Sequence, residues 1–229
     1  MPEIKAENAI ASLLQQRNST RGFLPDPVAP ETLDALFAMA QRAPSWCNIQ
    51  PWRLVVTDPP LTKTVSEALL ACAKSQLPAA DVPFPLVYPE PYDGFRKKCG
   101  GALYGAMGIA REDKSKRYDA WLRNYEIFGA PHLVVVSRDK RLGEYATLDV
   151  GVWLGTLLLA AQSLGIHTCP MASIAAYPQP LRELLDIPED ELILFGIAIG
   201  NADPKVAANS ARTTREPVSS NLRHLPGSM

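Results

Sequence analysis

The chain has 229 residues, with 23 Lys and Arg against 24 Asp and Glu, a formal net charge of −1. That length supports one domain with a sizeable core, and the even charge builds no basic field of the kind that draws nucleic-acid phosphates, so a small-molecule partner is expected. The four cysteines, Cys47, Cys72, Cys99 and Cys169, are widely spaced without a Cys-x-x-Cys pair, which argues against a zinc site, a thioredoxin-type pair or a disulfide framework.

In chain order, Met1–Glu7 lacks a basic segment followed by an apolar core and a cleavage site, predicting no signal peptide and a cytoplasmic location. Ile10, Leu13 and Leu14, then Leu33, Leu36, Phe37 and Ala40, recur at three-and-four spacing and predict two amphipathic helices, the second started by Pro30. Trp52–Thr57, Leu133–Ser137 and Leu192–Ile199 are short apolar or β-branched runs that predict core strands. Five prolines between Pro78 and Pro91 forbid regular helix and predict an extended loop, either a cover for a site or an aromatic-anchored surface loop. The spacing of Gly100, Gly101, Gly105 and Gly108 predicts a helix packed closely against a neighbour. Val150–Ala161 is apolar all round but well short of the ~20 residues that span a bilayer. It reads as a buried helix, with a subunit interface as its natural cover. Asn209–Met229 is polar and carries no core pattern.

Several common chemistries lack their signature. There is no Gly-x-Gly-x-x-Gly, no Gly-Lys-Ser/Thr loop, no Gly-x-Ser-x-Gly elbow and no His-Glu-x-x-His. The three histidines, His132, His167 and His224, lie far apart, so no metal site is expected. Cys47 and Cys99 have no neighbouring histidine and read as core or loop thiols, not nucleophiles. What remains is two arginine-bearing segments at opposite ends of the chain, Arg17–Arg21 and Asn209–Arg215, and a Pro-rich turn from Ala43 to Arg53. Arginine forks and a serine hydroxyl suit a phosphate, and short amides with backbone donors suit the edge of a flat heterocycle. Each also has a bland reading: Arg17 and Arg21 flanking a helix end, Asn48 and Gln50 satisfying a turn, Arg212 a solvated charge. Taken together they point to a phosphorylated planar cofactor that carries redox chemistry.

Five blocks in one order resemble the FMN-dependent nitroreductases: Arg-x-Ser-x-Arg-x-Phe ending at Phe23, Ala-Pro-Ser-x-x-Asn-x-Gln-Pro-Trp at 43–52, Gly129–His132, Leu164–Pro170 and Gly196–Asp203. The resemblance implies an α+β fold, a central and mostly antiparallel sheet surrounded by helices, in an interwoven homodimer with exchanged C-terminal arms. The single domain would span 1–229, with a variable middle at 59–127 carrying the lid-like loop and an arm at 209–229.

The same resemblance implies roles. Arg17, Asn18, Ser19 and Arg21 would hold the FMN phosphate and ribityl end, joined by Arg212 or Arg215, with Arg212 preferred from the Asn209-x-x-Arg212 spacing. Pro44, Ser45, Trp46 and Asn48 would meet the flavin ring from the second subunit, Trp46 standing where a small residue is expected and narrowing the pocket. Pro170, Met171 and Ala172 would run past the flavin with backbone donors. NAD(P)H and an electron-poor acceptor such as a nitroaromatic or quinone would alternate in one pocket by ping-pong two-electron transfer, with no catalytic side chain. Tyr92, Phe95, Tyr104, Tyr125 and Phe128 are expected to wall the substrate pocket. Arg96, Lys97 and Lys98 would meet the donor's phosphates or form a solvated face. Two rivals stay open: a flavin-dependent reductive dehalogenase, and a flavin-binding protein without turnover.

Overall fold

The computed structural model describes residues 8–225. The expectations for Met1–Glu7 and for Pro226–Met229 fall outside them. Four strands, β1 (Arg53–Thr57), β2 (His132–Asp139), β3 (His167–Met171) and β4 (Glu191–Gly200), form one sheet in the order β1-β2-β4-β3. Every pairing is antiparallel. Alternation along β2 splits the core in two: Leu133 and Val135 face one cluster, Val134 and Val136 the other. The three predicted strands are present. β3 was not foreseen, because Pro170 interrupts it; the strand lies at the sheet edge, where a missing N–H is tolerated.

Seven α-helices surround the sheet among the described residues: α1 (Ala9–Gln16), α2 (Pro30–Ala40), α3 (Leu61–Ser75), α4 (Tyr92–Ala106), α5 (Lys114–Leu122), α6 (Glu144–Ser163) and α7 (Pro178–Leu185). Helix α1 starts at Asn8, whose side chain accepts the N–H groups of Ile10 and Ala11. As predicted, α2 starts at Pro30. Leu36 of α2 with Trp153 and Leu157 of α6 covers one face of the sheet. Leu69 of α3 with Leu181 of α7 covers the other. The Arg17–Phe23 motif therefore lies between α1 and α2, as its position in sequence required.

Two helices depart from expectation. α6 was read as buried on all sides, yet Leu148 is 63 % exposed and Tyr145 and Val152 are exposed beside it; within one chain only the Trp153–Leu157 side is covered. It alone among the described residues is long and apolar enough to cross a membrane, and its buried side packs on the sheet. α4 was expected to pack its glycines closely against a neighbour. None of its residues is buried, and a Cβ at Gly101 or Gly105 would meet no atom within 4 Å. The small-residue face is open in a single chain.

The prolines do keep residues 77–91 out of regular structure. The loop is moored near its start by the N–H of Ala79 donating to the Ala176 carbonyl at 2.9 Å, and by Asp81. The carboxylate of Asp81 accepts from buried Arg182 at 3.0 Å and from the Ile193 N–H at 2.8 Å. Farther along, Leu86 is 99 % exposed. The segment from 211 to 225 buries no side chain.

Candidate functional site

The two arginine segments meet. Ser19 bridges to Thr168 in parallel, and the Thr20 N–H donates to the Thr168 carbonyl at 3.0 Å, so the first motif runs along β3. Asn209 then joins the far end of the chain to it. Its Oδ1 accepts the Arg21 N–H at 2.7 Å, and its Nδ2 donates to the carbonyls of Gly22 at 2.8 Å and Asp203 at 2.9 Å. Gly22 is required here, because a Cβ would lie 2.5 Å from the Val206 side chain.

This junction frames a cavity of about 350 Å³ lined by Arg17, Asn18, Ser19 and Arg21 on one side, Arg212, Thr213 and Arg215 on another, and Cys99 and Leu103 of α4. Four guanidiniums share it, and among the described residues no carboxylate lines it. Burial, and then the nearby Arg215 guanidinium, hold the pKa of Arg17 below its ordinary value. Crowded cations without a counter-charge fit an anion bearing several acceptor oxygens. Arg212 and Arg215 both line the cavity. Each spends Nη1 on holding its own turn, Arg212 on the Asn209 and Ala211 carbonyls and Arg215 on Thr213 and Thr214.

Asn209 thus ties the two arginine segments together, a part that sequence reasoning used only as a spacing mark. Asn209→Ala leaves the Arg21 N–H without its acceptor, at a cost of about 1–3 kcal/mol if it stays dry, while the carbonyls of Gly22 and Asp203 keep the N–H groups of Asp203 and Val206. The expected result is a lower Tm and, beyond that, a weaker grip on any anion in the cavity, because the side chain that ties the 207–210 turn to the Arg21 strap is gone. Thermal unfolding with and without saturating ligand checks both. Cys99 and Leu103 were also missed as lining residues, and no local pattern marks them. Beneath the cavity, burial pushes the Cys169 thiol up to about 11, with Arg21 and Arg17 pulling weakly the other way. It is a protonated core thiol, not a nucleophile.

The Pro-rich turn is a shaped, exposed tip. Cys47, Asn48 and Gln50 all lie in the left-handed region, with φ of 50°, 55° and 46°, a conformation that costs of order 1 kcal/mol or more at each non-glycine residue. The turn is held by the Gln50 N–H donating to Ser45 Oγ at 2.9 Å and the Trp46 N–H donating to Asp149 Oδ1 at 3.0 Å. Trp46, 62 % exposed, sets its ring against Tyr145 at 4.9 Å. Pro44 and Asn48 are exposed beside it. Asp149 is buried, and its Oδ2 has no partner among the described residues.

One chain does not bring this tip to the arginine cavity. None of Pro44, Ser45, Trp46 and Asn48 lines it. Pro170 and Met171 end β3 beside the Ser19–Thr20 strap, Met171 buried and Ala172 exposed as the chain enters a short 3₁₀ turn. His167, on the same strand, has a buried Nδ1 without a partner among the described residues, and burial lowers its pKa.

The five aromatics expected to form one wall do not converge. Tyr104 and Phe128 line a second cavity of about 310 Å³ together with Trp121. Phe95 lines a third, between α4 and residues 212–216. Tyr92 is exposed and packs its edge on Phe95. Tyr125 is 2 % exposed, packed between Trp121 and Tyr177; it belongs to the core, where amphipathic rings with one satisfied end often sit. Arg96 and Lys97 both pair with Asp93 at 2.6 Å, and Lys98 pairs with Glu216 at 2.9 Å, the exposed pattern of a solvated face. His132 is structural: Nε2 accepts the Val28 N–H at 2.9 Å, which leaves Nδ1–H to donate to Asp58 at 2.7 Å. Among the described residues no group of three or more His, Cys, Asp or Glu is placed to hold a metal.

Comparison with known proteins gives this arrangement a context. The chain is 33 % identical over 211 residues to 4-nitrobenzoate reductase of Pseudomonas putida, covering 90 % of each. It is 30 % identical over 223 residues to nitroreductase NfnB of Mycolicibacterium smegmatis, covering 97 % of this chain and 95 % of that one. The crystal structure of the FMN-dependent nitroreductase NfnB from Mycobacterium smegmatis in complex with NADPH superposes with a TM-score of 0.90 at 30 % identity, over 95 % of this chain and 98 % of that one. Residues 14–201 match the nitroreductase family description, a span that takes in β1–β4, the Arg17–Phe23 strap and the Pro-rich turn, and the chain belongs to that family.

Proposed function

We propose that this protein is an FMN-dependent, NAD(P)H-consuming nitroreductase. The observation that carries the reading is the arginine cavity: four guanidiniums from both ends of the chain, no carboxylate among the described residues that line it, and an Arg17 already disfavoured as a cation by burial and by Arg215. A flavin mononucleotide phosphate is the anion these residues fit. Arg17, Arg21, Arg212 and Arg215 would bind it with Ser19 and Asn18. When bound, FMN supplies the two-electron chemistry between NAD(P)H and an electron-poor acceptor. The chain's part is to orient the cofactor and to favour added negative charge through fixed cations and backbone donors around Ala172. The relatives named for nitrobenzoate reduction and for NADPH support a nitroaromatic acceptor and a nicotinamide donor.

The site is completed by a second copy. Pro44, Ser45, Trp46 and Asn48 line no part of the arginine cavity of their own chain, yet they form a shaped, exposed tip. The open side of α6 and the outward Ile10 and Leu14 of α1 border an apolar groove of about 690 Å³, a surface suited to a homodimer. Residues 211–225, which bury nothing on their own chain, would be ordered across that partner.

The deciding experiment is the visible spectrum of the purified protein, followed by anaerobic NADPH and then 4-nitrobenzoate. A yellow protein that bleaches with NADPH and recolours through many cycles is the expected result. Oxidation of only one equivalent of NADPH per flavin would assign it to flavin binding without turnover. A colourless protein that takes up no FMN would overturn the reading, and a monomeric holoprotein by sedimentation would overturn the shared site.

A further inference from the structure

The cavity behind the arginine site is not used by the function above. It lies between α4, which contributes Leu103, Tyr104 and Met107, and α5, which contributes Trp121, with Phe128 also in the lining. Its volume of about 310 Å³ is at the small end of the range that holds ligands. The walls are flat and soft, three aromatic rings and a thioether. The polar groups are two cations from different elements, Arg21 and Arg123, together with Asn124, and among the described residues no carboxylate lines the space.

We infer that this cavity is a second ligand site, taking a small flat aromatic carboxylate, distinct from the arginine cradle and coupled to it through Arg21. The ring would lie among Tyr104, Trp121 and Met107, where aromatic and thioether contacts favour a planar π-system. The carboxylate would meet Arg123, whose present partner Glu126 is 3.6 Å away on an exposed surface and holds it weakly.

Coupling follows from shared parts. Arg21 and Leu103 line both cavities. An anion on the far side of Arg21 competes for the guanidinium that the cradle uses. α4 is the common wall, and with no buried residue and open glycines it shifts at low cost. The coupling is therefore negative, and by linkage it acts equally in both directions. Only this coupling rests on the flavin reading; occupancy of the cavity does not.

The test is calorimetric titration of the holoprotein with benzoate, and with benzamide as the neutral control. One benzoate per chain should bind with the flavin retained, and benzamide at least tenfold more weakly. Arg123→Ala should weaken benzoate about tenfold, roughly 1.4 kcal/mol. Ala207→Trp, placed in the exposed turn that lines the cavity, should abolish binding while leaving the flavin spectrum unchanged, and it serves independently should Arg123→Ala fail to fold. FMN affinity should fall with benzoate in the parent protein and not in Ala207→Trp. Absence of saturable heat would overturn the proposal. So would benzoate binding that 4-nitrobenzoate displaces and neither substitution alters, because the ligand would then occupy the acceptor site. A protein that binds benzoate as described yet takes no FMN would defeat the flavin reading and leave this site standing.

Discussion

Replacing Arg17 and Arg212 together by alanine is expected to yield a folded, colourless protein. Each charge-assisted hydrogen bond contributes about 1.5–3 kcal/mol net, so losing two raises the FMN dissociation constant by roughly two to four orders of magnitude. The fold should hardly notice. Arg212 is exposed and donates to its own turn, and Arg17 is half-buried, paired with no carboxylate among the described residues and crowded by Arg215. Removing Arg17 relieves that repulsion in the empty protein while removing a ligand from the loaded one, so apoprotein Tm and flavin affinity should move independently. Arg215→Ala should weaken FMN in the same direction, because Arg215 lines the same cavity. Fluorescence titration of the apoproteins reads all three, and full flavin occupancy in the double variant would sink the phosphate assignment.

The largest stability effect should come from Asp81→Ala. Asp81 and Arg182 pair at 3.0 Å with side chains only 16 % and 8 % exposed. Removing Asp81 leaves buried Arg182 with the Glu191 carbonyl and with Glu189 at 3.2 Å, a carboxylate that is 80 % exposed, so the loss stays at about 3 kcal/mol, the low end for a broken buried pair. For a chain of this size that is a drop of roughly 6–12 °C in Tm. The Ile193 N–H loses its acceptor as well. Arg182→Met introduced with Asp81→Ala removes the stranded charge and should recover part of the loss, leaving the orphaned N–H. A single-variant cost below about 1 kcal/mol in thermal unfolding would show that the pair is not a staple. The functional consequence concerns the 77–91 loop. Its base is held at Ala79 and Asp81 while Leu86 stands free, so the variant should loosen this loop; a raised KM for the acceptor would mark it as a cover for a site, and an unchanged KM as an aromatic-anchored surface loop.

Local order was legible in the residues themselves. The periodicities of Ile10–Leu14 and Leu33–Ala40 and the runs that became β1, β2 and β4 encode elements whose stabilising contacts lie within a turn or a strand of themselves. The chemistry of the cavity was legible too, since arginine forks and a serine suit phosphate wherever the chain places them. Other features depended on partners remote in sequence. Pro170 hid β3 until the sheet order made it an edge. Tyr125 could have walled a pocket, and only its packing between Trp121 and Tyr177 made it core. The glycines of α4 suggested a close neighbour that one chain does not supply. Cys99 and Leu103 became lining residues because α4 comes to rest beside a clasp built by Asn209 on Arg21, 188 positions away. Sequence alone determined which groups could hold a phosphorylated flavin. Tertiary structure alone decided which of them share a cavity and which, on the Pro44–Asn48 tip, are left facing outward, because side-chain chemistry is a local property and convergence is set by long-range packing.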